Sequence, residues 1–188
     1  MKKHIILASN SPRRRELLAG LDLDFEVKVL PDVAEDYPND LPAVDVAGYI
    51  AREKADVYKA MITEDDLVIT ADTVVVVDNE VLGKPVDAND ARRMLHLISG
   101  RKHQVVTGVC LLTSTDYHSF SVTTDETFKQ LSDEEINYYI EHFKPFDKAG
   151  AYGIQEWIGY VGVTSINGSY FNVMGLPVQR IWEEVHKL

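Results

Sequence analysis

Four stretches of the chain hold polar or charged residues where packing alone would not ask for them. The first is Ala8-Ser9-Asn10-Ser11-Pro12-Arg13-Arg14. Serine is a favoured helix N-cap and proline fits the first helical position, so a strand end here turns into a helix. The spare N–H groups of that helix start, the positive end of its dipole and the adjacent arginines together make an anion site. An ordinary capped helix with a solvated basic patch has the same local pattern. The second stretch is Ile69-Thr70-Ala71-Asp72-Thr73-Val74-Val75. An ionised Asp72 inside so apolar a run is costly unless it is paired, hydrogen-bonded or bound to a metal. Carboxylates brought into a cleft at strand ends commonly hold Mg²⁺ or a water nucleophile. The plainer alternative is an aspartate satisfied by nearby backbone N–H groups.

The third place is a pair of lysines. Lys54 lies among Ile50, Ala51 and Ala55, and Lys84 stands in Leu82-Gly83-Lys84-Pro85. Either alone reads as a surface lysine with a buried stem. The fourth is the acidic loop Pro31-Asp32-Val33-Ala34-Glu35-Asp36-Tyr37, which by itself says only that the loop is solvated. The histidines, at 4, 96, 103, 118, 142 and 186, are scattered singly, and no Cys/His cluster has zinc spacing. The one cysteine, Cys110, sits in the apolar run 105–112 and reads as a small buried hydrophobe.

These residues need elements to hold them. A short strand over 4–8 leads to a helix over 12–19 closed by Gly20, and 25–30 alternates as a strand should. A helix over 44–61 sets Ile50, Lys54, Val57 and Tyr58 near one face and Arg52, Asp56 and Lys59 near another. The run 67–77 is a buried strand, with its turn at Asp78-Asn79-Glu80. Asp87 caps a helix ending at Ser99-Gly100. Residues 103–113 and 117–129 form a long hairpin. Ser132-Asp133-Glu134-Glu135 is a capping box for a helix carrying Ile136, Tyr139 and Ile140. A glycine-rich stretch over 150–168 carries short strands, and a helix runs from 176 to the end. The pattern predicts an α/β fold with a mixed, partly antiparallel sheet and flanking helices, and leaves the strand order open.

A chain of 188 residues with 45% apolar and 26% charged content is one globular domain, or one domain folded as two lobes around a cleft. Burial of roughly 70% of the unfolded surface at this size makes disulfide or metal staples unnecessary. The start has a basic beginning but a short apolar core that runs into Arg13-Arg14-Arg15, which is a first strand and not a signal peptide. With no long apolar window, the expectation is a cytoplasmic protein with no membrane partner. Thirty acidic residues against nineteen basic give a net charge of −11, a field that repels nucleic acid. A small polyanion is different: at a Debye length of about 8 Å a few local cations outweigh distant charge.

The spaced set resembles one family over residues 5–182. The opening Leu7-Ala8-Ser9-Asn10-Ser11-Pro12-Arg13-Arg14-Arg15-Glu16-Leu17-Leu18 looks like the first motif of the Maf nucleotide pyrophosphatases, with Asn10 where a small residue is more usual. Glu35, Arg52-Glu53-Lys54-Ala55, Ala71-Asp72-Thr73-Val74-Val75 and Leu82-Gly83-Lys84-Pro85 follow at the family's spacing. So do Ser99-Gly100, His103, Val106-Thr107-Gly108-Val109, Ala149-Gly150-Ala151-Tyr152-Gly153-Ile154-Gln155 and the run Ile166-Asn167-Gly168-Ser169-Tyr170-Phe171-Asn172-Val173-Met174-Gly175-Leu176-Pro177.

The resemblance implies a fold similar to the inosine triphosphate pyrophosphatases, a single domain over 1–188 and a homodimer. It implies hydrolysis of a nucleoside triphosphate to monophosphate and pyrophosphate, with Asp72 as proton acceptor. Ser11, Arg14, Lys54 and Lys84 would bind the phosphates, and Mg²⁺ or Mn²⁺ would bridge phosphate oxygens to Glu35 and Asp72. Arg13, Thr73 and Gln155 stand at the positions that set substrate choice, and all three match the branch acting on dTTP and UTP. The branch similar to 7-methyl-GTP pyrophosphatase differs there, with Glu in place of Gln155. A rival implication is a nucleotide-binding regulator of septum formation with no significant turnover. Asp72 as general base and Asp72 as metal ligand both remain open from the sequence.

Overall fold

The computed structural model describes residues 3–31 and 33–188, so Asp32 of the acidic loop lies outside the described residues. Its elements run β1 (His4–Leu7), α1 (Pro12–Ala19), β2 (Phe25–Val27), α2 (Val46–Asp56), β3 (Asp66–Val77), β4 (Glu80–Leu82) and α3 (Ala88–Ile98). They continue with β5 (Lys102–Leu112), β6 (Tyr117–Phe128), α4 (Asp133–Phe143), α5 (Trp157–Gly162), β7 (Val163–Asn167), α6 (Tyr170–Met174) and α7 (Val178–Val185). Among the described residues the strands make one seven-stranded sheet in the order β2-β1-β3-β5-β6-β7, with β4 paired to β3 off that path. β1 is parallel to both neighbours, with Ile5 opposite Phe25 and Leu7 opposite Ile69. β4 is antiparallel to β3 and β7 to β6, so the sheet is mixed as expected. Residues 113–116 alone join β5 to β6, a connection short enough only for an antiparallel pair. No helix among the described residues is long and apolar enough to cross a membrane.

The chain divides into two compact units, and β3, β5 and β6 each give residues to both. The first unit holds Met1–Asp72, Thr107–Val122 and Gly175–Leu188. In its core, Ala51, Ala55 and Tyr58 pack with Ile6, Val68, Cys110 and Leu112, so Cys110 is the buried hydrophobe the sequence suggested. α2 lies so close to β5 that a Cβ on Gly108 would overlap the backbone of Ala47 and Gly48. The helix is shorter than the expected 44–61. Beyond Asp56 the bonds tighten, Tyr58 N–H to Ala55 C=O and Met61 N–H to Tyr58 C=O, and Val57 is 45% exposed. Tyr58 explains a second difference. Its hydroxyl donates to Lys28 C=O (3.1 Å) and accepts from Leu30 N–H (3.0 Å), drawing those groups out of the ladder, so β2 stops at Val27.

The second unit holds Thr73–Val106 and Thr123–Met174. Met94, Leu95 and Ile98 of α3 and Ile136, Tyr139 and Ile140 of α4 pack with Val75, Val105 and Phe128. Asp87 caps α3 and the Ser132–Glu135 capping box starts α4, both as read from sequence. The turn after β3 is tighter than expected. Asp78 (φ 48) and Asn79 (φ 65) make it alone, a backbone suited to a two-residue hairpin, and Glu80 already pairs with Val77. Of the short strands expected over 150–168 only β7 forms, because 157–162 coils into α5. The last helix starts at Val178 after Pro177, and a separate α6 ends before Gly175 (φ 119).

Candidate active site

In the first unit the parallel pairing of β1 with β3 sets the geometry. Ala8 N–H donates to Ile69 C=O (2.9 Å), so Ser9-Asn10-Ser11 leaves the carboxyl end of β1 beside Thr70-Ala71-Asp72. The carboxyl ends of parallel strands are where open α/β sheets bind ligands. Ser9 Oγ accepts from Ser11 N–H (3.2 Å), and Ser11 Oγ accepts from Arg14 N–H (3.3 Å) as the N-cap of α1. Arg13 follows on the same first turn, half-buried. Arg14 donates from Nε to Gly175 C=O (2.8 Å) and from Nη1 to Ala71 C=O (3.1 Å), binding α1 to the residue before Asp72. Burial pushes the Arg14 pKa below its ordinary value. The charge of Asp72 opposes that shift, Arg13 adds to it and Glu35 opposes it.

Alternate residues of β3 face α2. Thr70 Oγ1 donates to Ala51 C=O (2.7 Å), and two residues on Asp72 Oδ1 accepts from Lys54 Nζ (2.9 Å). Lys54 lies one helical turn past Ala51, so strand and helix meet in step. Its Nζ is also 2.7 Å from Glu35 Oε1. Asp72 is 8% exposed and therefore has the partner that a buried carboxylate requires. Glu35, Lys54 and Asp72 thus meet, with one ammonium between two carboxylates. The sequence singled out all three but gave no sign that Lys54 and Asp72 pair. Two carboxylates with hard oxygen donors fit Mg²⁺ or Mn²⁺, which take one or two protein carboxylates together with substrate phosphates. No group of three or more His, Cys, Asp or Glu side chains placed for a metal occurs among the described residues.

The second unit holds Thr73, Lys84 and Gln155. Thr73 is half-buried on β3, two residues before Val75, which pairs with Leu82 of β4. Lys84 follows β4 by two residues and is exposed. The intervening Gly83 accepts at its carbonyl from Gly150 N–H (3.1 Å), and Gly150 lies against the Val75 side chain. One strand pair therefore supports Thr73, Lys84 and the turn that leads to Gln155. Gln155 is half-buried, and its Oε1 is sealed from solvent with no hydrogen-bond partner among the described residues. A buried acceptor left unsatisfied is uncommon, and a ligand donor is one way to satisfy it.

Sequence reasoning missed the groups around Gln155. The Tyr152 hydroxyl donates to Glu126 Oε2 (2.7 Å) and is 2.6 Å from His103 Nε2. With its proton on Glu126, the tyrosine oxygen accepts from a His103 of the Nε2–H tautomer. Burial depresses His103 to about 4 and raises Glu126 to about 7, the latter despite the Tyr152 hydrogen bond. Tyr139 accepts from Gly153 N–H (3.0 Å) and donates to Glu156 Oε1 (2.8 Å). The sequence signals were His103 and Tyr152 in the family-like segments and Tyr139 on its helix, none with a role, and Glu126 gave no signal at all.

Known proteins are similar to this chain over nearly its whole length. The family model described as Maf-like protein matches residues 4–188. The dTTP/UTP pyrophosphatase of Phocaeicola vulgatus is 59% identical over 187 residues, covering 100% of this chain and 97% of the relative. The Parabacteroides distasonis protein of the same name is 54% identical over 186 residues, 98% of this chain and 96% of its own. That of Flavobacterium johnsoniae is 49% identical over 184 residues, 97% of this chain and 94% of its own. A HAM1 protein from Coxiella burnetii, of solved structure, is similar over 99% of this chain and 100% of its own at 13% identity and a TM-score of 0.49, a likeness too remote to assign chemistry. With all but the first three residues inside the matched range, the chain belongs to the Maf-like protein family.

Proposed function

We propose that this chain is a nucleoside triphosphate pyrophosphatase that hydrolyses dTTP and UTP to the monophosphate and pyrophosphate, acting in the cytoplasm as a homodimer folded as one Maf-like domain over 1–188. Full-length relatives at 49–59% identity carry that activity as their name. In the fold, the observation that carries the reading is the meeting of Glu35, Lys54 and Asp72 beside the Ser11 loop.

The reaction needs a water in line with the α phosphorus and the pyrophosphate leaving group, so the protein's work is positioning and charge neutralisation. Ser11, the start of α1, Arg14, Lys54 and Lys84 hold the phosphates. Asp72 takes the proton as the water oxygen bonds to the α phosphorus. The bond to the β-phosphate oxygen breaks and its electron pair leaves with pyrophosphate. Nucleotide pyrophosphatases of the Maf type generally depend on a divalent metal. Here Glu35 and Asp72 would hold Mg²⁺ or Mn²⁺, which supplies charge neutralisation at phosphate oxygens and a more acidic water.

Gln155, with Arg13 and Thr73, reads the base. Uracil and thymine offer O2, N3–H and O4, and the unpartnered Gln155 Oε1 suits the N3–H while its amide nitrogen donates to a neighbouring carbonyl. A regulator of septum formation without turnover is the weaker reading, since two carboxylates beside the phosphates only repel a ligand that is never hydrolysed. Pyrophosphate release from dTTP, UTP, CTP and GTP tests the reading. dTTP and UTP should both turn over with Mg²⁺ or Mn²⁺, CTP more slowly, and none after chelation with EDTA. Binding of UTP with no turnover under any divalent metal would establish the regulator instead.

A further inference from the structure

The segment that carries Gln155 is held at both ends by tyrosine hydroxyls. On one side, Tyr152 reaches into a fully buried chain, His103 Nε2 to Tyr152 Oη (2.6 Å) and Tyr152 O–H to Glu126 Oε2 (2.7 Å). The rings add to the hold, with Tyr152 edge-on to Phe128 (5.0 Å between centroids) and to His103 (5.6 Å). On the other side, Tyr139 of α4 accepts from Gly153 N–H and donates to Glu156, which Lys148 also approaches at 3.4 Å. α5 then closes over the segment, since a Cβ on Gly159 would overlap the carbonyl of Ile154. Residues 152, 153, 154 and 156 are thus each fixed, and the Gln155 Oε1 between them is buried without a partner among the described residues, as are the far atoms of the chain, His103 Nδ1 and Glu126 Oε1.

A packed core does not need this construction. Placing His103 and Glu126 at full burial is costly, and apolar residues of the same volume would fill the space without it. What the network adds is direction, because hydrogen bonds fix the rotation of Tyr152 and hence the backbone on which Gln155 stands. A side chain that reads a base by two hydrogen bonds must be held to a fraction of an ångström.

We propose that the Tyr152 hydroxyl, backed by His103 and Glu126, and the Tyr139 hydroxyl are the positioning device that sets the Gln155 amide for pyrimidine recognition. The proposal rests on the reading of this chain as a dTTP/UTP pyrophosphatase in which Gln155 meets the base. All four residues are buried and act through the 152–156 segment.

The experiment compares Tyr152→Phe and Tyr139→Phe with the wild-type protein, measuring kcat and KM for UTP and CTP and inhibition by inorganic pyrophosphate. Each variant loses one hydroxyl and keeps its ring. KM for UTP should rise about tenfold, kcat should change little, and the preference for UTP over CTP should shrink by about the same factor. Inhibition by pyrophosphate, which reports only on the phosphate side, should stay within about twofold, since that ligand makes none of the base contacts. A merely structural role would weaken pyrophosphate and UTP together and leave the preference intact. Should the buried chain make Tyr152→Phe unfold, Tyr139→Phe decides alone, because its hydroxyl lies outside that chain. An unchanged UTP preference in the folded variants overturns the positioning role and leaves the proposed function standing. A wild-type protein that shows no preference for UTP over CTP overturns both.

Discussion

Asp72 and Lys54 illustrate what a single residue can and cannot reveal before folding. A carboxylate in an apolar strand demands a partner, and that demand was legible in Ile69-Thr70-Ala71-Asp72. The identity of the partner was not, because it lies on a helix and the pairing depends on Thr70 and Asp72 sharing a face of β3. The same pairing shapes the expected variant. Asp72→Asn keeps the shape and leaves Lys54 its bond to Glu35, so the fold should persist while turnover falls roughly 10²–10⁴-fold if Asp72 accepts the proton. Near wild-type hydrolysis of dTTP by that variant would remove Asp72 from the chemistry. Gln155 is tested by charge. Glutamate has acceptors only, so Gln155→Glu loses the donor to a pyrimidine carbonyl and suits the N1–H and amino donors of guanine instead. kcat/KM for dTTP and UTP should drop by roughly 1–3 kcal/mol and the gap to GTP should narrow. An unchanged ranking of the four triphosphates would place Gln155 outside the base pocket.

Elements with local signals were legible, and those defined by distant contacts were not. Pro12 to Ala19 is a helix as read, because Ser11, Pro12 and Gly20 mark both ends within the segment itself. The capping box at Ser132–Glu135 is equally local. β4 was missed because Glu80 reads as part of the turn and Val81-Leu82 is too short a run to read as a strand, and only Val75, Val76 and Val77 across the ladder make these residues strand. α5 was missed because Gly159 and Gly162 argue against helix, yet the glycine at 159 is what lets the helix lie on Ile154. The strand order was unreadable for the same reason: β1 pairs with β3 across α1, β2 and α2. Contact at the element scale also predicts a variant remote from the chemistry. Gly108→Ala would drive a methyl into the backbone of α2 at Ala47, and no rotamer can relieve a clash with backbone. α2 must move away from β5, and Lys54 moves with it relative to Asp72. A loss of about 1–3 kcal/mol or more is expected. Each kcal/mol lowers Tm by about 2–4 °C at this size, and turnover should fall as well. A variant with wild-type Tm and kcat would show that the helix is not seated as tightly as described.

At the scale of the whole molecule, stability against pH tests how His103 and Glu126 are buried. Unfolded, Glu126 titrates near 4.5 and His103 near 6.5; folded, burial moves them to about 7 and about 4. The raised carboxyl contributes stability that is full below pH 4.5 and is lost as pH rises through about 7. The depressed imidazole contributes stability that is full above pH 6.5 and is lost as pH falls through about 4. Between pH 4.5 and 6.5 the unfolded chain therefore carries a glutamate anion and a histidine cation, and the folded chain carries both groups neutral. Both states bind the same number of protons at this pair, so its net pH slope in that window is close to zero although each group alone has a steep one. Tyr152, which touches both, stays neutral throughout because burial raises its hydroxyl far above this range. Glu126→Gln removes one of the two opposed slopes and keeps an acceptor for the Tyr152 hydroxyl. The difference in unfolding free energy, variant minus wild type, should then climb from pH 4.5 to 7, because the contribution lost in the variant is the one that falls with pH. At about 1.4 kcal/mol for each pH unit crossed, the full climb is roughly 3 kcal/mol. Taking the difference cancels every other titrating group, so urea unfolding of the two proteins at pH 4.5, 5.5 and 7 is sufficient. A difference that is flat with pH would mean that Glu126 ionises in the fold as readily as it does in water, and that the chain of three side chains holds a charge and not a proton.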